Sequence, residues 1–217
     1  DNGDGTYSAA FSATAPGTAT VSGKVNGEDM AAKVVIEVSP GAANAAASTM
    51  ETSRTSMTTD ETATITVRLK DAYGNSLTAG GDDVELFADY GSLSSVTDEG
   101  DGTYTATFEP TTPGLVTITG TVNGDAIDST VTIEVSVGAA SPETSTITAD
   151  PETIDTDETA LITVQLKDAK HNNLTVGGPT VTLTADDGRE LTVTDVGNGT
   201  YTASFSSTTA GTVTITG

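Results

Sequence analysis

Residues 98–108 read DEGDGTYTATF, and the phrase occurs twice more, as DNGDGTYSAAF at 1–11 and DVGNGTYTASF at 195–205. Tyr7, Tyr104 and Tyr201 stand 97 residues apart, as do Gly23, Gly120 and Gly217, and TDET begins at both Thr59 and Thr156. No insertion or deletion interrupts that register. A fixed period marks one copied structural unit; this one exceeds the roughly 20–50 residues of a solenoid turn and matches a small domain. Three units therefore stand in tandem. Residues 1–38, equivalent to 98–135, read as the C-terminal half of a first unit, 49–135 as a complete second, and 146–217 as a third lacking its last strand or two, with linkers at 39–48 and 136–145. Partial units leave a sheet edge and part of a core uncovered, so the missing parts are expected from a longer chain or from a neighbouring molecule by strand addition.

Within a unit the hydrophobic pattern has period two. Ala63, Ile65, Val67 and Leu69 alternate with Thr64, Thr66, Arg68 and Lys70. The same alternation carries Val84, Leu86 and Ala88, then Tyr104, Ala106 and Phe108, then Val116, Ile118 and Val122, and finally Val131, Ile133 and Val135. Successive residues of a strand face opposite sides, so each segment offers one apolar and one wet face. Asn123-Gly124 is the dipeptide preferred in a two-residue hairpin, because both positions tolerate positive φ. Helical periodicity is missing, and the alanine-rich stretch 42–47 falls between units. About seven short strands per unit, with turn residues between them, predict an all-β fold of tandem Ig-like antiparallel sandwiches.

Composition restricts the function classes. The chain has no cysteine, so neither a disulfide framework nor a thiolate metal site can form. No run approaches the roughly 20 apolar residues of a membrane helix. Thirty-one acidic against eight basic residues give a formal net charge of -23, which opposes binding to nucleic acid or anionic membrane. Solubility of an exposed chain, adaptation to high salt and calcium binding all fit that charge.

Two acidic groups present hard oxygen ligands for calcium, the only metal or cofactor in view. The first is the turn of the opening phrase, Asp98 and Asp101 with Glu99; unit three replaces the latter two by Asn198 and Val196. The competing reading makes GDGTY a turn that starts a strand, with the Tyr104 ring in the core and its hydroxyl on a backbone partner. The second group lies near the second linker, where Asp150, Asp155, Asp157 and Glu158 gather with Glu143 and Glu152. Simple solvation of turn residues competes with calcium there.

TITVRLKDAYGNSLTAGG (64–81) and VTDEGDGTYTATFEPTTPGLVTITGTVNG (96–124) resemble the bacterial Ig-like repeats of invasin and intimin type adhesins, as does ADPETIDTDETALITVQLKDAKHNNLTVGG (149–178). GDGTY followed by EPTTPG is also similar to filamin Ig repeats. The resemblance covers nearly the whole chain. It implies stalk repeats that project a distal binding domain, and it carries over no binding residue. Unit three departs from it with Lys170-His171-Asn172 in place of Tyr73-Gly74-Asn75.

No catalytic constellation emerges. His171, the single histidine, falls in a polar loop, and no serine sits in a nucleophile elbow. Asp82-Asp83 and Asp186-Asp187 are adjacent, which on a strand turns them to opposite faces. Asn173-Leu-Thr and Asn198-Gly-Thr match the glycosylation acceptor pattern. The expected function is a non-enzymatic, extracellular or cell-surface adhesin stalk whose partners are neighbouring Ig-like units of the same or another chain, with receptor unknown. The alternatives are a structural subunit of an extracellular filament or surface layer, and a carbohydrate-binding accessory module of a secreted enzyme.

Overall fold

A computed structural model describes residues 1–217 and contains nineteen strands and no helix. The middle unit is a two-sheet sandwich. In one sheet Ala63–Arg68 lies between Thr49–Thr52 and Thr103–Glu109, and the far edge of Thr103–Glu109 carries the short strands Ser92–Leu93 and Thr97–Asp98. In the other sheet Gly114–Val122 pairs with Val84–Ala88 on one side and with Val131–Ser136 on the other. Val131–Ser136 is closed by Ser56–Thr58, a parallel pairing in an otherwise antiparallel unit.

The alternating apolar residues meet between these sheets. Ile65, Val67, Tyr104, Phe108, Ile118 and Ile133 are almost fully enclosed within a cluster of sixteen buried residues. Burying each such side chain contributes about 1.5–3 kcal/mol, which is what fixes the strand register against a one-residue slip. Asn123 and Gly124 take φ of 53° and 86° in the hairpin turn, as the dipeptide requires.

The recurrent phrase is the turn that starts the central strand. Asp101 Oδ1 accepts the Thr103 N–H at 3.0 Å, and in unit three Asn198 Oδ1 accepts the Thr200 N–H at 3.1 Å. Aspartate and asparagine interchange because the position needs an acceptor rather than a charge. The Tyr104 ring is in the core, and its hydroxyl accepts the Asp82 N–H at 2.9 Å. Tyr201 repeats this, accepting from the Gly178 N–H and donating to the Pro179 carbonyl at 2.8 Å. Gly102 lies under the carbonyl of Leu77, where a Cβ would come within 2.6 Å of the oxygen.

Unit three repeats one sheet, Thr146–Asp150, Ala160–Gln165, Thr200–Phe205 and Thr194–Asp195, with a smaller second sheet of Glu190–Leu191, Leu183–Ala185 and Ile215–Thr216. Its core holds eight buried residues. Residues 17–38 form one hairpin, Gly17–Val25 with Glu28–Val38, in the same register as Gly114–Val122 with Val131–Ser136. With no second sheet over it, Val21 is 43% exposed where its counterpart Ile118 is 0% exposed.

Both stretches expected as linkers are drawn into the units. Ala43 and Ala45 pack against the middle core, the Asn44 N–H donates to the Lys70 carbonyl, and Ser48 is buried. Ser136 belongs to a strand, Val137 and Ala140 pack on the third core, and the Ser141 N–H donates to the Lys167 carbonyl. Small side chains that read as spacer fit narrow gaps where a larger residue would hold the strands apart.

Gly124 and Gly102 share a positive φ, but only Gly102 meets neighbouring backbone. Gly124→Ala is expected to cost about 1–2 kcal/mol, the penalty of left-handed backbone alone. Gly102→Ala should cost distinctly more in urea unfolding; equal losses would remove the packing role assigned to Gly102.

Candidate functional site

The strand Ala63–Arg68, or Ala160–Gln165 in unit three, runs through Leu69 or Leu166 into the loop Lys-Asp-Ala-x-x-Asn. The loop is a turn closed by its own aspartate. The Asp71 N–H donates to the Asn75 carbonyl and the Gly74 N–H to the Asp71 carbonyl, each at 2.9 Å; Asp168, Asn172 and His171 repeat the pattern. Oδ1 of Asp71 accepts the Tyr73 and Asn75 N–H groups, and Oδ1 of Asp168 those of Lys170 and Asn172. Asn75 and Asn172 each direct Nδ2 at both oxygens of their aspartate. The replacement of Gly74 by His171 keeps the turn, since His171 takes φ 68° where Gly74 has 82°.

The loop also bonds to the preceding unit. The Thr59 hydroxyl donates to Asp168 Oδ2 at 2.6 Å, and the Gly138 N–H donates to Thr59 Oγ1 at 2.9 Å and to Asp168 Oδ2 at 3.3 Å. Asn172 Nδ2 donates to the Thr111 carbonyl at 3.0 Å, the Ala139 N–H to Asp60 Oδ2 at 2.6 Å, and Lys170 Nζ pairs with Glu109 at 2.5 Å. Asp168 is 0% and Thr59 1% exposed. A Cβ on Gly138 would stand 2.2 Å from Asp60 Oδ2, so the close approach needs glycine. The first junction is built alike: the Gly41 N–H donates to Asp71 Oδ2 at 2.9 Å, and Asn75 Nδ2 to the Thr14 carbonyl at 2.8 Å.

A buried carboxylate is costly unless hydrogen-bonded, and here the bonds more than offset burial. For Asp168, burial is the largest single influence and raises the pKa, but donation from Thr59, Asn172 and Gly138 together holds the carboxyl below its usual value. For Asp71, the Asn75 side chain and then the Gly41 N–H lower it to about 2 against an opposing effect of burial. The Glu109 carboxylate raises Lys170.

The acids expected as calcium ligands lie elsewhere, mostly in turns. Asp98 accepts the Gly100 and Gly81 N–H groups, one on each oxygen, and Asp195 does the same with Gly197 and Gly178. Asp101 accepts from Thr103. Glu158 accepts the Asp155 N–H, just as Glu61 accepts that of Thr58. Asp150 ends a strand, and Asp157 is exposed at the position where Asp60 holds Ala139. Of the six, only Asp155 and Glu158 are joined by a bond, and no three acidic or histidine side chains gather where they could hold a metal ion. Calcium needs roughly six to eight oxygen ligands. His171, Asn173 and Asn198 are exposed. The recurrent Tyr104, Tyr201 and Phe108 point inward or pack partly under neighbours, whereas the exposed Tyr73, Phe87 and Tyr90 do not recur, being replaced by Lys170, Thr184 and Asp187.

The junction was missed in the sequence although its signal was there. Asp71 and Asp168 recur at the 97-residue spacing, each two residues after a buried leucine and so on the inward face of the alternation, where a merely solvated acid has no reason to be retained in register.

The sequence model of the family described as invasin, domain 3, matches residues 44–138 and again 141–217, two segments that meet at this junction. Among solved structures, that of invasin, a bacterial integrin-binding protein, is similar at 27% identity with a TM-score of 0.54, over 93% of this chain and 42% of that one. FdeC, an Escherichia coli adhesin, is similar at 25% identity with a TM-score of 0.55, over 92% of this chain and 68% of its own. Comparison with curated protein sequences gives no match. The chain thus spans less than half of the invasin structure.

His171→Gly is expected to raise the stability of unit three by about 1 kcal/mol, because glycine relieves the left-handed backbone; differential scanning calorimetry reads the shift. Millimolar calcium is expected to leave the melting temperature unchanged, and a clear rise would show that the acids bind the ion after all.

Proposed function

The chain belongs to the invasin domain 3 family, and from that premise we propose that its units are non-enzymatic spacer repeats in the stalk of an extracellular, cell-surface adhesin. The observation that carries this reading is the junction. Asp168, Thr59 and Gly138 tie consecutive sandwiches by buried hydrogen bonds to which Asn172 adds an exposed one, and the first junction uses the same residue types at Asp71, Gly41 and Asn75. A spacer needs units that hold a set distance, and joints without a free linker provide it. Each sandwich would add roughly 35–45 Å of reach, from strands of about ten residues plus the joint. The strong negative charge keeps such a surface soluble and separates neighbouring stalks.

Small-angle scattering is the test. An elongated monomer independent of concentration is expected, with Gly138→Ala broadening its distance distribution by forcing Asp60 off the joint. Growth into regular polymers would instead favour the filament or surface-layer reading, and labelling confined to the interior of the source cells would exclude both.

A further inference from the structure

We propose that the second junction is an acid-released joint: the bonds from Thr59 and Gly138 to ionised Asp168 hold the middle and third units together, and protonation of that carboxyl lets them turn about residues 137–140. The inference rests on the junction geometry and holds whatever larger assembly the chain serves.

Every polar group within reach of the two oxygens is a donor. Oδ1 accepts the Lys170 N–H at 3.0 Å, the Asn172 N–H at 2.8 Å and Asn172 Nδ2 at 3.2 Å. Oδ2 accepts the Thr59 hydroxyl at 2.6 Å, Asn172 Nδ2 at 2.9 Å and the Gly138 N–H at 3.3 Å. A proton on Oδ1 faces N–H donors alone; one on Oδ2 faces N–H donors and the Thr59 hydroxyl, which would have to turn from donating to accepting and give up its own bond, in a site closed to water. The geometry also separates the joint from the loop. Lys170 and Asn172 belong to the loop itself, which keeps its backbone bonds from Asp168 to Asn172 and from His171 to Asp168. Only Thr59 and Gly138 reach the Asp168 carboxylate from outside that loop, Thr144 bonding its main-chain carbonyl instead, so the connection between units is the part that protonation loosens.

Two further charged contacts cross the joint: Asp60 accepts the Ala139 N–H, and Glu109 pairs with Lys170. His171 is exposed and makes no bond to the Asp168 carboxylate through its ring. The sign follows from the bonds. Hydrogen bonding holds the Asp168 carboxyl below its ordinary value of 3.8 in the closed joint. Its contribution is therefore complete above pH 3.8 and is lost as pH falls below that value.

The chain has no cysteine, so Glu85→Cys in the middle unit and Glu152→Cys in unit three allow clean spin labelling across the joint. At neutral pH a single narrow distance is expected, and below pH 3.8 that distance should be lost to a broad distribution while the near-ultraviolet signal of buried Tyr104 and Tyr201 persists. Asp168→Asn should be broad at neutral pH and indifferent to acid. Asp60→Asn and Glu109→Gln should be narrow at neutral pH and still broaden in acid. Four results would overturn the proposal: a narrow distance in Asp168→Asn, no broadening of the parent in acid, loss of the acid response in Glu109→Gln or Asp60→Asn, or melting of the units before the joint opens.

Discussion

An apolar strand face must be covered by a second sheet, and that constraint decides where the chain is ordered into a core. Ile118 and Val21 occupy the same position of the repeat, on strands with the same hairpin register, yet one is enclosed and the other open. The two hairpins share one turn, at Asn26-Gly27 and Asn123-Gly124. Enclosure requires the partner sheet, Ala63–Arg68 with Thr103–Glu109, whose residues lie far away in the chain. Burial between the two sheets supplies most of the stability, and a lone two-stranded hairpin is marginal without it.

Burial also divides the use of charge. Many acids of this chain serve turns: Asp98 clamps two glycine N–H groups, Asp101 and, in unit three, Asn198 open the central strand, and Glu61 and Glu158 each lock a bend. Oxygens already used by backbone donors are poor starting points for a metal shell, which is why an acidic composition need not signal calcium. Asp71 and Asp168 differ by being buried. There a carboxylate accepts more donors than any neutral side chain could, and it takes them from the loop and from the preceding unit together.

How much of this the sequence disclosed follows from the separation between the partners. The period, the alternating faces, the Asn-Gly turn and the inward Tyr104 are local signals and could be read directly. The junction was legible only in part: Asp168 continues the inward alternation of Ile162, Val164 and Leu166, but its partner Thr59 lies 109 residues away. The alanine-rich stretches misled for a related reason: Ala43, Ala45 and Ala140 look like spacer, but their small side chains are what permit close packing. The substitution of His171 for Gly74 changed the residue without changing the turn, a case in which backbone bonds from Asp168 override local preference.

Each period of the chain carries the two complementary halves of a joint at its opposite ends, a hydroxyl with its neighbouring Gly-Ala amides at one and an aspartate loop at the other. Recombination between copies of the gene that stays in register by whole units therefore yields a longer or shorter chain in which every junction is already matched. A crossover out of register would part the halves and leave a buried carboxylate without its donors. Copy number can drift in such a gene, whereas the length of the unit cannot.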